Sequence, residues 1–392
     1  MSDVVILSAT RTPLGAFQGS LAAVPAPRLG ATAIRGAMLP AAIHPADVTD
    51  VFMGNVIQAG TGQAPARQAA LYAGLPAATR CVTVHKVCGS GLESVIQGTR
   101  ALKSGEAAFV VAGGMENMSA APYLLPKARE GFRLGNHQVV DSLIHDGLWD
   151  PHHNLHMGNC AEQCVRKYGF TREQQDAYAA ESFRRANAAQ KDGRFAAEIT
   201  PVEITNAKGG VTRVMHDEGP VKVNYDRLPL LKPVFDESGT ITAANASTIN
   251  DGAAALVLTT SDEAAKRRLT PLARIAGFGS CAQDPIWFTT APIGAAQNAL
   301  RGAGWSADEV DVWEVNEAFA VVALAFMQEF RLSNENVNVR GGAISLGHPI
   351  GCSGARILVT LLAALRERGG KRGVAAICIG GGEGLAACVE LM

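Results

Sequence analysis

The sequence predicts an α/β protein whose core is built from layers of helices and strands in two related halves. Short apolar runs alternate with amphipathic stretches along the 392 residues, which is the pattern of strands that alternate with helices. Several landmarks of the first part of the chain also recur near the C-terminus in the same order. A recurrence of this kind indicates a duplicated structural unit.

The individual elements follow from the spacing of apolar side chains. Buried strands are predicted where apolar residues run without interruption, at Val4–Leu7, Val51–Met53, Cys81–Val87, Ala108–Ala112, Ala255–Thr259, Val310–Val315 and Val374–Ile379. Helices are predicted where apolar residues recur with helical spacing, at Ser90–Ser104, Arg172–Asp192 and Ser353–Arg368. Thr171 has a side chain suited to cap the second of these helices.

Three pairs of landmarks carry the evidence for duplication. In each half a strand runs into an asparagine, a glycine-rich turn opens a helix, and the next strand ends in glycines. The pairs are Asn55 with Asn316, Gly91 with Gly354, and Gly113 with Gly380. Their separations are all about 265 residues, as a repeated unit requires. Chance recurrence of such turns in a chain with 42 glycines is the alternative.

The residues between the two halves differ in character. Histidine, proline, asparagine and charged residues cluster there, as in Trp149–Gly158, around one clear helix. Long insertions on a rigid scaffold are usually functional. We therefore expect a first half at 1–118, completed by about 249–268, an inserted loop domain at 119–248, and a second half at 269–392.

Composition excludes several classes of protein. The 35 Lys and Arg against 36 Asp and Glu give a net charge of −1, so a strongly basic nucleic-acid binder is excluded and a polybasic membrane binder is disfavoured. No apolar run reaches the length of a membrane span, and no secretion signal or peroxisomal tripeptide is recognisable, so we expect a cytoplasmic protein. The eight cysteines contain no CxxC pair, and no histidine cluster has the spacing of a metal site, so we expect no metal.

Cys88 is the first candidate for chemistry. It lies where a predicted strand gives way to Gly-Ser-Gly and then to a helix. Unpaired N–H groups and the positive end of the helix dipole favour a thiolate, which is the nucleophilic form of cysteine. A small buried packing residue is the alternative interpretation of the same pattern.

His348 is the second candidate. It lies between glycines, directly before Pro349 and a predicted helix. Imidazole is the side chain best suited to activate a thiol near neutral pH. A turn histidine whose nitrogens are bonded to backbone is the alternative.

Two further positions follow strands. Cys378 ends an apolar strand that runs into Gly380, and this glycine-rich turn can present backbone N–H groups to an oxyanion. Asn316 and Glu317 follow another strand, where an amide and a carboxylate have either a catalytic role or the ordinary role of capping a helix.

Taken together, these residues resemble the thiolase family over essentially the whole chain, with the greatest likeness to its short-chain acetyl-CoA acetyltransferase branch. The segments that carry the resemblance are Val87–Gly91, Gly113–Ser119, His156–Gly158, Thr242–Ser247, Asn250–Ala255, Asn316–Phe319, Gly347–Gly351 and Cys378–Gly382. The resemblance implies two βαβαβαββ halves in a layered α/β/α/β/α core, with an inserted loop domain that binds coenzyme A (CoA). It also implies a reversible Claisen condensation of two acetyl-CoA to acetoacetyl-CoA and CoA, by a ping-pong mechanism.

The resemblance assigns a role to each candidate. Cys88 would carry the acyl group as a thioester, and His348 would activate it. Cys378 would act as acid and base toward the second acetyl-CoA. Asn316 would hold a water that forms one oxyanion hole with His348, and the N–H groups of Cys88 and Gly380 would form the other.

The resemblance also implies how CoA is bound. The residues that would contact its pantetheine arm or line its tunnel are Leu148, His156, Met157, Phe235, Ala243, Ser247, Phe288, Ala318 and Phe319. Lys222 or Arg227 would contact the nucleotide. Tyr178 with Ala243, Ala244 and Ala246 resembles a potassium site, and no other cofactor is implied. A homotetramer built as a dimer of dimers is expected.

The sequence leaves one alternative within the family and disfavours the others. A longer-chain 3-ketoacyl-CoA thiolase of β-oxidation is that alternative, and assays of acyl chain length distinguish it. A related condensing enzyme that uses acyl carrier protein would need a second histidine in place of Asn316. A non-catalytic lipid carrier of the same fold would be expected to lack Cys88 or His348, and both are present. A nicotinamide or pyridoxal enzyme is disfavoured, because no GxGxxG follows a strand with an acidic residue at the required distance.

Overall fold

The computed structural model describes residues 2–206 and 208–392. The elements before the insertion are β1 (Val4–Arg11), β2 (Gly15–Ala16), α1 (Ala26–Ala41), β3 (Asp50–Gly54), α2 (Pro65–Tyr72), β4 (Arg80–Val84), α3 (Ser90–Lys103) and β5 (Phe109–Asn117). The next part of the chain contributes β6 (Tyr123–Leu124), β7 (Val140–Asp141), α4 (Ser142–Gly147), β8 (Trp149–Asp150), β9 (Leu155–His156), α5 (Met157–Tyr168), α6 (Arg172–Lys191), β10 (Val202–Thr205) and β11 (Val211–Val214).

The remaining elements return to the core. They are β12 (Asn250–Thr260), α7 (Ser261–Lys266), β13 (Ala273–Ala282), α8 (Ala291–Ala303), β14 (Val312–Val315), α9 (Ala320–Phe330), α10 (Ala343–Leu346), α11 (Ile350–Arg368), β15 (Arg372–Ile379) and β16 (Glu383–Leu391). Within residues 2–206 and 208–392, no helix combines the length and the apolar character that crossing a bilayer requires.

The strand order repeats between the halves. The first half has the order β4-β3-β5-β12-β1, and the second has β14-β15-β16-β13. Val337 forms a parallel bridge with Trp313 of β14, at the position that β4 occupies in the first half. In both halves the strands toward the outer edge pair in parallel, β3 with β5 and β14 with β15. The next pair is antiparallel in both, β5 with β12 and β15 with β16. The predicted duplication is therefore confirmed, with the third strand of the second half reduced to one bridge.

The layers form around two central helices. One apolar cluster joins residues of α3, such as Leu92, and of α11, such as Leu358, to strands of both halves. Helices α1 and α2 cover the other face of the first half, and α8 and α9 cover the other face of the second. The half-sheets join through β1 and β13 over two residue pairs. The predicted α/β/α/β/α layering is confirmed.

Glycines allow the two central helices to approach at their N-termini. A Cβ on Gly91 would lie 2.7 Å from the backbone N of Ala355, and one on Gly354 would lie 2.5 Å from the N of Leu92. A Cβ on Gly114 would lie 2.0 Å from the backbone O of Gly351. Real Cβ contacts are not this short, so any side chain at these three positions would overlap backbone atoms. The glycines therefore allow the backbones to touch directly.

Some element predictions were incomplete. Strands β13 and β16 were not predicted, although β16 pairs with β15 along its whole length. Helix α11 begins at Ile350, three residues before the predicted start, with Pro349 as its N-cap residue. Thr171 caps α6 as predicted, in a capping box with Gln174.

We expect Gly114→Ala to lower the free energy of unfolding by at least about 1–3 kcal/mol, because the added methyl overlaps the Gly351 carbonyl. Gly302→Ala in α8 is the matched control, since the nearest atom to its new Cβ is 3.8 Å away. That control should be neutral or stabilising by up to about 1 kcal/mol. Urea denaturation measures both. Equal midpoints would show that the contact between β5 and the start of α11 tolerates a side chain.

Candidate active site

Cys88 lies on a tight turn between β4 and α3. The Ser90 hydroxyl closes this turn, since its Oγ accepts from the N–H of Lys86 at 2.8 Å and donates to the carbonyl of Val87 at 2.7 Å. Val87 has a φ of 44°, a value that β-branched residues rarely adopt. Backbone strain of this kind is found at functional sites, where surrounding contacts hold it in place.

The Cys88 thiol is a neutral group in the resting site. The residue is partly buried and packs against the apolar cluster that contains Val56, Ile57 and Ile350. Burial raises the pKa of Cys88 to about 11, while its own N–H and that of Gly380 act in the opposite direction. The N–H groups at the helix start favour the thiolate, as expected, but desolvation is the larger effect and keeps the thiol protonated.

The position of a proton on His348 follows from its hydrogen bonds. The Nδ1 of His348 lies 2.6 Å from the Oγ of Ser353, and that hydroxyl donates its single proton to the carbonyl of Pro349 at 2.9 Å. Ser353 can therefore only accept from His348, so Nδ1 carries the proton. The Nε2 keeps its lone pair and has no hydrogen-bond partner in the described part of the chain.

His348 is also held neutral by its surroundings. Burial lowers its pKa to about 3, and the charge of Arg356 acts in the same direction. Its backbone N–H donates to the carbonyl of Thr248 at 3.2 Å and to the Oδ1 of Asn250 at 3.1 Å. The result is a fixed, unprotonated imidazole with one free nitrogen.

Both side chains line a cavity of about 220 Å³. Of the predicted site residues, those that line it are Cys88, Leu148, His156, Met157, Phe235, Ser247, Phe288, Ala318, Phe319, His348 and Gly380. The others that line it are Met118, Gly147, Ala246, Thr248, Ile249 and Ile350. The cavity thus joins residues from both halves and from the insertion.

An aromatic row forms one wall of the cavity. His156 stacks on Phe235 with ring centres 4.7 Å apart, and Phe235 meets Phe319 edge to face at 6.0 Å. Phe319 in turn meets Phe288 edge to face at 6.3 Å. His156 also caps α5, because its Nδ1 accepts from the N–H of Gly158 at 3.0 Å. The wall is therefore rigid and apolar.

Cys378 and Asn316 are buried close to the cavity but are not among the residues that line it. Burial raises the pKa of Cys378 well above its ordinary value, and the proximity of Cys88 adds to this rise. The Asn316 side chain is fully buried, and neither its Oδ1 nor its Nδ2 has a partner among the described residues. An unpaired buried amide of this kind calls for an explanation, and a bound ligand or water supplies one.

The interpretation of Asn316 and Glu317 as helix caps is wrong. Helix α9 begins at Ala320, its N-cap is Phe319, and no side chain caps it. Glu317 is fully buried and accepts four hydrogen bonds instead. The donors are the Tyr178 hydroxyl (2.9 Å), the Ser182 hydroxyl (2.8 Å), the Asn338 Nδ2 (2.9 Å) and the Ile344 N–H (3.1 Å). Glu317 thereby anchors the loop that carries Asn316.

A second cavity of about 730 Å³ lies beside the first, and Phe235, Ala246, Ser247, Thr248 and Ile249 line both. Its charged lining residues are Lys222 and Arg227. The predicted CoA residue Ala243 lines this cavity rather than the inner one.

The residues of the predicted potassium site divide between two places. Ala243, Ala244 and Ala246 line the outer cavity with Phe183, whereas the Tyr178 hydroxyl bonds to Glu317 and Asn338. Within residues 2–206 and 208–392, no three His, Cys, Asp or Glu side chains are placed to hold a metal ion.

Sequence reasoning missed Ser353 and the anchoring role of Glu317. Ser353 and Glu317 lie inside or beside recognised motifs, so their positions in the sequence could have indicated a supporting role. Their partners could not be read from the sequence, because Tyr178 and Glu317 are 139 residues apart. Thr248 and Ile249 of the lining carry no chemistry that would single them out.

Comparison with known proteins agrees with this geometry. The chain matches the family model "Thiolase, N-terminal domain" over residues 4–262 and "Thiolase, C-terminal domain" over residues 269–391. It is 50% identical over 391 residues to an acetyl-CoA acetyltransferase of Cupriavidus necator, covering all of both chains. It is 49% identical to a mitochondrial acetyl-CoA acetyltransferase of Rattus norvegicus, covering 100% of this chain and 91% of that one.

Solved structures have the same fold. The Acat5 thiolase of Ascaris suum, solved in complex with coenzyme A, is 43% identical with a TM-score of 0.94, and each chain is covered completely. The Bacillus anthracis acetyl-CoA acetyltransferase is 38% identical with a TM-score of 0.97, covering 100% of this chain and 99% of that one. Since both family models and full-length relatives match, the predicted resemblance is confirmed and the chain belongs to the thiolase family.

Proposed function

We propose that this protein catalyses the reversible Claisen condensation of two acetyl-CoA to acetoacetyl-CoA and CoA, through an acetyl thioester on Cys88. The observation that carries the proposal is the single cavity in which Cys88, a neutral His348 and the Gly380 turn meet. A Claisen condensation needs a covalent acyl carrier, a base and stabilised oxyanions, and these residues can supply each of them. The names of the full-length relatives support the same activity.

In the first half-reaction, His348 Nε2 accepts the Cys88 proton as Sγ attacks the carbonyl carbon of acetyl-CoA. The tetrahedral intermediate collapses, the bond to the CoA sulfur breaks, and the imidazolium returns its proton to that leaving thiolate. The fixed Nδ1–H tautomer of His348 suits this role, because the free nitrogen is already the acceptor.

In the second half-reaction, the thiol proton of Cys378 would pass to the neutral His348 Nε2, and the Cys378 thiolate then removes a proton from the α-carbon of a second acetyl-CoA. The resulting carbanion attacks the acetyl carbonyl carbon on Cys88, and the leaving Cys88 thiolate takes the proton from His348. Cys378 is suited to this step because its pKa is raised, which makes its thiolate a strong base. The charge of Cys88 contributes to this rise, so the base lies close to the residue that carries the electrophile.

Two oxyanion sites complete the mechanism. The N–H groups of Cys88 and Gly380, which both favour negative charge at the Cys88 sulfur, would stabilise the tetrahedral intermediate there. The unpaired amide of Asn316 would hold a water that acts, together with the Nε2–H of the imidazolium form of His348, on the enolate oxygen of the second substrate. Each oxyanion donor is typically worth about 3–4 kcal/mol.

The inserted segment would bind CoA, with its pantetheine arm along His156, Phe235 and Ser247 and its nucleotide in the outer cavity. Lys222 and Arg227 are suited to the CoA phosphates, because they are the cationic residues of that cavity. The predicted domain division at 119–248, the homotetramer and the potassium site are part of the same proposal.

The inner cavity favours short acyl groups. Its 220 Å³ is room for roughly seven water-sized groups, and Phe288 is almost fully buried in its wall. Acyl chains that do not fit in this volume have to displace the packed ring of Phe288, which costs about 1–3 kcal/mol for each misfit. The short-chain activity is therefore favoured over the β-oxidation alternative.

Substitutions of Cys88 and of Cys378 should abolish different steps of the reaction. With acetyl-CoA, intact-mass measurement should show one acetyl adduct on the wild type and none on Cys88→Ser. Cys378→Ser should form the adduct yet lose turnover in both directions, because only condensation and thiolysis need its proton transfer. Cys388→Ser, a buried cysteine of β16, is the matched control and should retain both properties. An adduct of wild-type yield on Cys88→Ser would place the nucleophile elsewhere.

His348 should stay neutral from pH 7 to pH 5, because its folded pKa of about 3 is below this range. Nitrogen NMR of histidine-labelled protein should show a protonated Nδ1 and a free Nε2. Ser353→Ala removes the acceptor, so the tautomer is no longer fixed, and acylation should slow by roughly ten-fold. Ser94→Ala, which removes another buried hydroxyl on a central helix, should leave the His348 signal unchanged. A protonated Nε2 in the wild type would contradict the assignment.

Substrate size tests the pocket. We expect the highest kcat/KM with four-carbon acetoacetyl-CoA, a fall with six carbons and little activity beyond eight. Phe288→Ala should raise the ratio for six over four carbons by roughly ten-fold, the scale of a small change in an apolar pocket. Phe132→Ala, an exposed phenylalanine outside both cavities, is the control. Equal kcat/KM for four- and ten-carbon substrates in the wild type would favour the β-oxidation alternative.

A further inference from the structure

Glu116, at the end of β5, is a fully buried carboxylate that accepts four hydrogen bonds. Its Oε2 accepts from the N–H of Val56 and from that of Gly351, both at 2.9 Å. Its Oε1 accepts from the Asn55 Nδ2 at 2.7 Å and from the Ile57 N–H at 3.3 Å. In the described part of the chain, Glu116 has no ion-pair partner.

The four donors come from both halves of the protein. Residues 55–57 follow β3 in the first half, whereas Gly351 lies in the first turn of α11 in the second. One carboxylate therefore holds a loop of the first half against the helix N-terminus of the second. The link between the halves runs through Oε2, which accepts from Val56 of the first half and from Gly351 of the second.

The same residues surround the nucleophile. Cys88 packs against the apolar cluster that contains Val56, Ile57 and Ile350, whose backbone is held at Glu116 or one residue from it. Gly351 is also three residues after His348 in the chain. The bonds to Glu116 thus fix both the wall behind the Cys88 sulfur and the turn that carries the imidazole.

We propose that Glu116 is a positioning residue that sets Cys88 and His348 in register across the boundary between the two halves. The proposal rests on the proposed function of those two residues. Glu116 is not among the residues that line the cavity, so it acts through the residues it holds rather than on substrate. Its charge also contributes to the raised pKa of Cys88, as expected of a carboxylate near the thiol.

The test compares Glu116→Gln with the wild type in single-turnover acetylation of Cys88 by acetyl-CoA, followed by intact mass. The glutamine amide keeps one acceptor oxygen and turns an NH₂ group toward two N–H donors, so two of the four bonds are lost. We expect the acetylation rate to fall at least ten-fold, with KM for acetyl-CoA within two-fold. Glu116→Asp keeps both oxygens and should acetylate faster than Glu116→Gln; the reverse order would contradict the proposal.

Glu198→Gln is the matched control for lost stability. Glu198 is equally buried, but its partners are Arg11 and Arg340. This control should lower the melting temperature and leave acetylation unchanged well below it. Wild-type acetylation by folded Glu116→Gln would overturn the proposal.

If Glu116→Gln does not fold, Asn55→Ala removes a single donor and should slow acetylation by roughly three-fold. A wild-type rate for this variant would then overturn the proposal. Failure of the wild type to form any acetyl adduct would contradict the proposed function instead.

Discussion

The close approach of helices α3 and α11 is the constraint on which the site depends. Both helices begin at the boundary between the halves, and Gly91 and Gly354 let backbone meet backbone there. Cys88 lies two residues before the start of α3, and His348 lies two residues before the start of α11. The approach of the helices therefore brings the thiol and the imidazole together without either residue belonging to a flexible loop.

Burial at this junction determines the charge state of the site. The thiol of Cys88 is held protonated and the imidazole of His348 is held neutral, since desolvation disfavours both ions. In the proposed mechanism, charge develops only when a substrate carbonyl arrives, at the point where the N–H groups of Cys88 and Gly380 would face it. Preorganised donors in a dry site stabilise such charge more than water does.

Much of the fold could be predicted from the sequence, because periodic apolar residues and repeated glycine turns are local signals. The residues of the site that bear chemistry, such as Cys88 and His348, were predicted for the same reason. The hydrogen bonds that support them could not be predicted, since they join distant parts of the chain, as Glu116 joins Gly351 across 235 residues. The raised pKa of Cys88 could not be predicted, because a helix N-terminus is visible in a sequence, whereas the extent of burial is not.

The duplication explains why only one of two equivalent asparagines is available for chemistry. In the first half, β5 follows the central helix and contains Glu116, whose Oε1 accepts from the Asn55 amide. The residue at the same offset in the second half is Glu383, which begins β16 and pairs with Lys86 near the surface. Among the described residues, Asn316 is left without a carboxylate partner, and its amide is free to hold a ligand. The same position of the repeat thus holds an asparagine that is bonded within the protein in the first half and an unpaired one in the second.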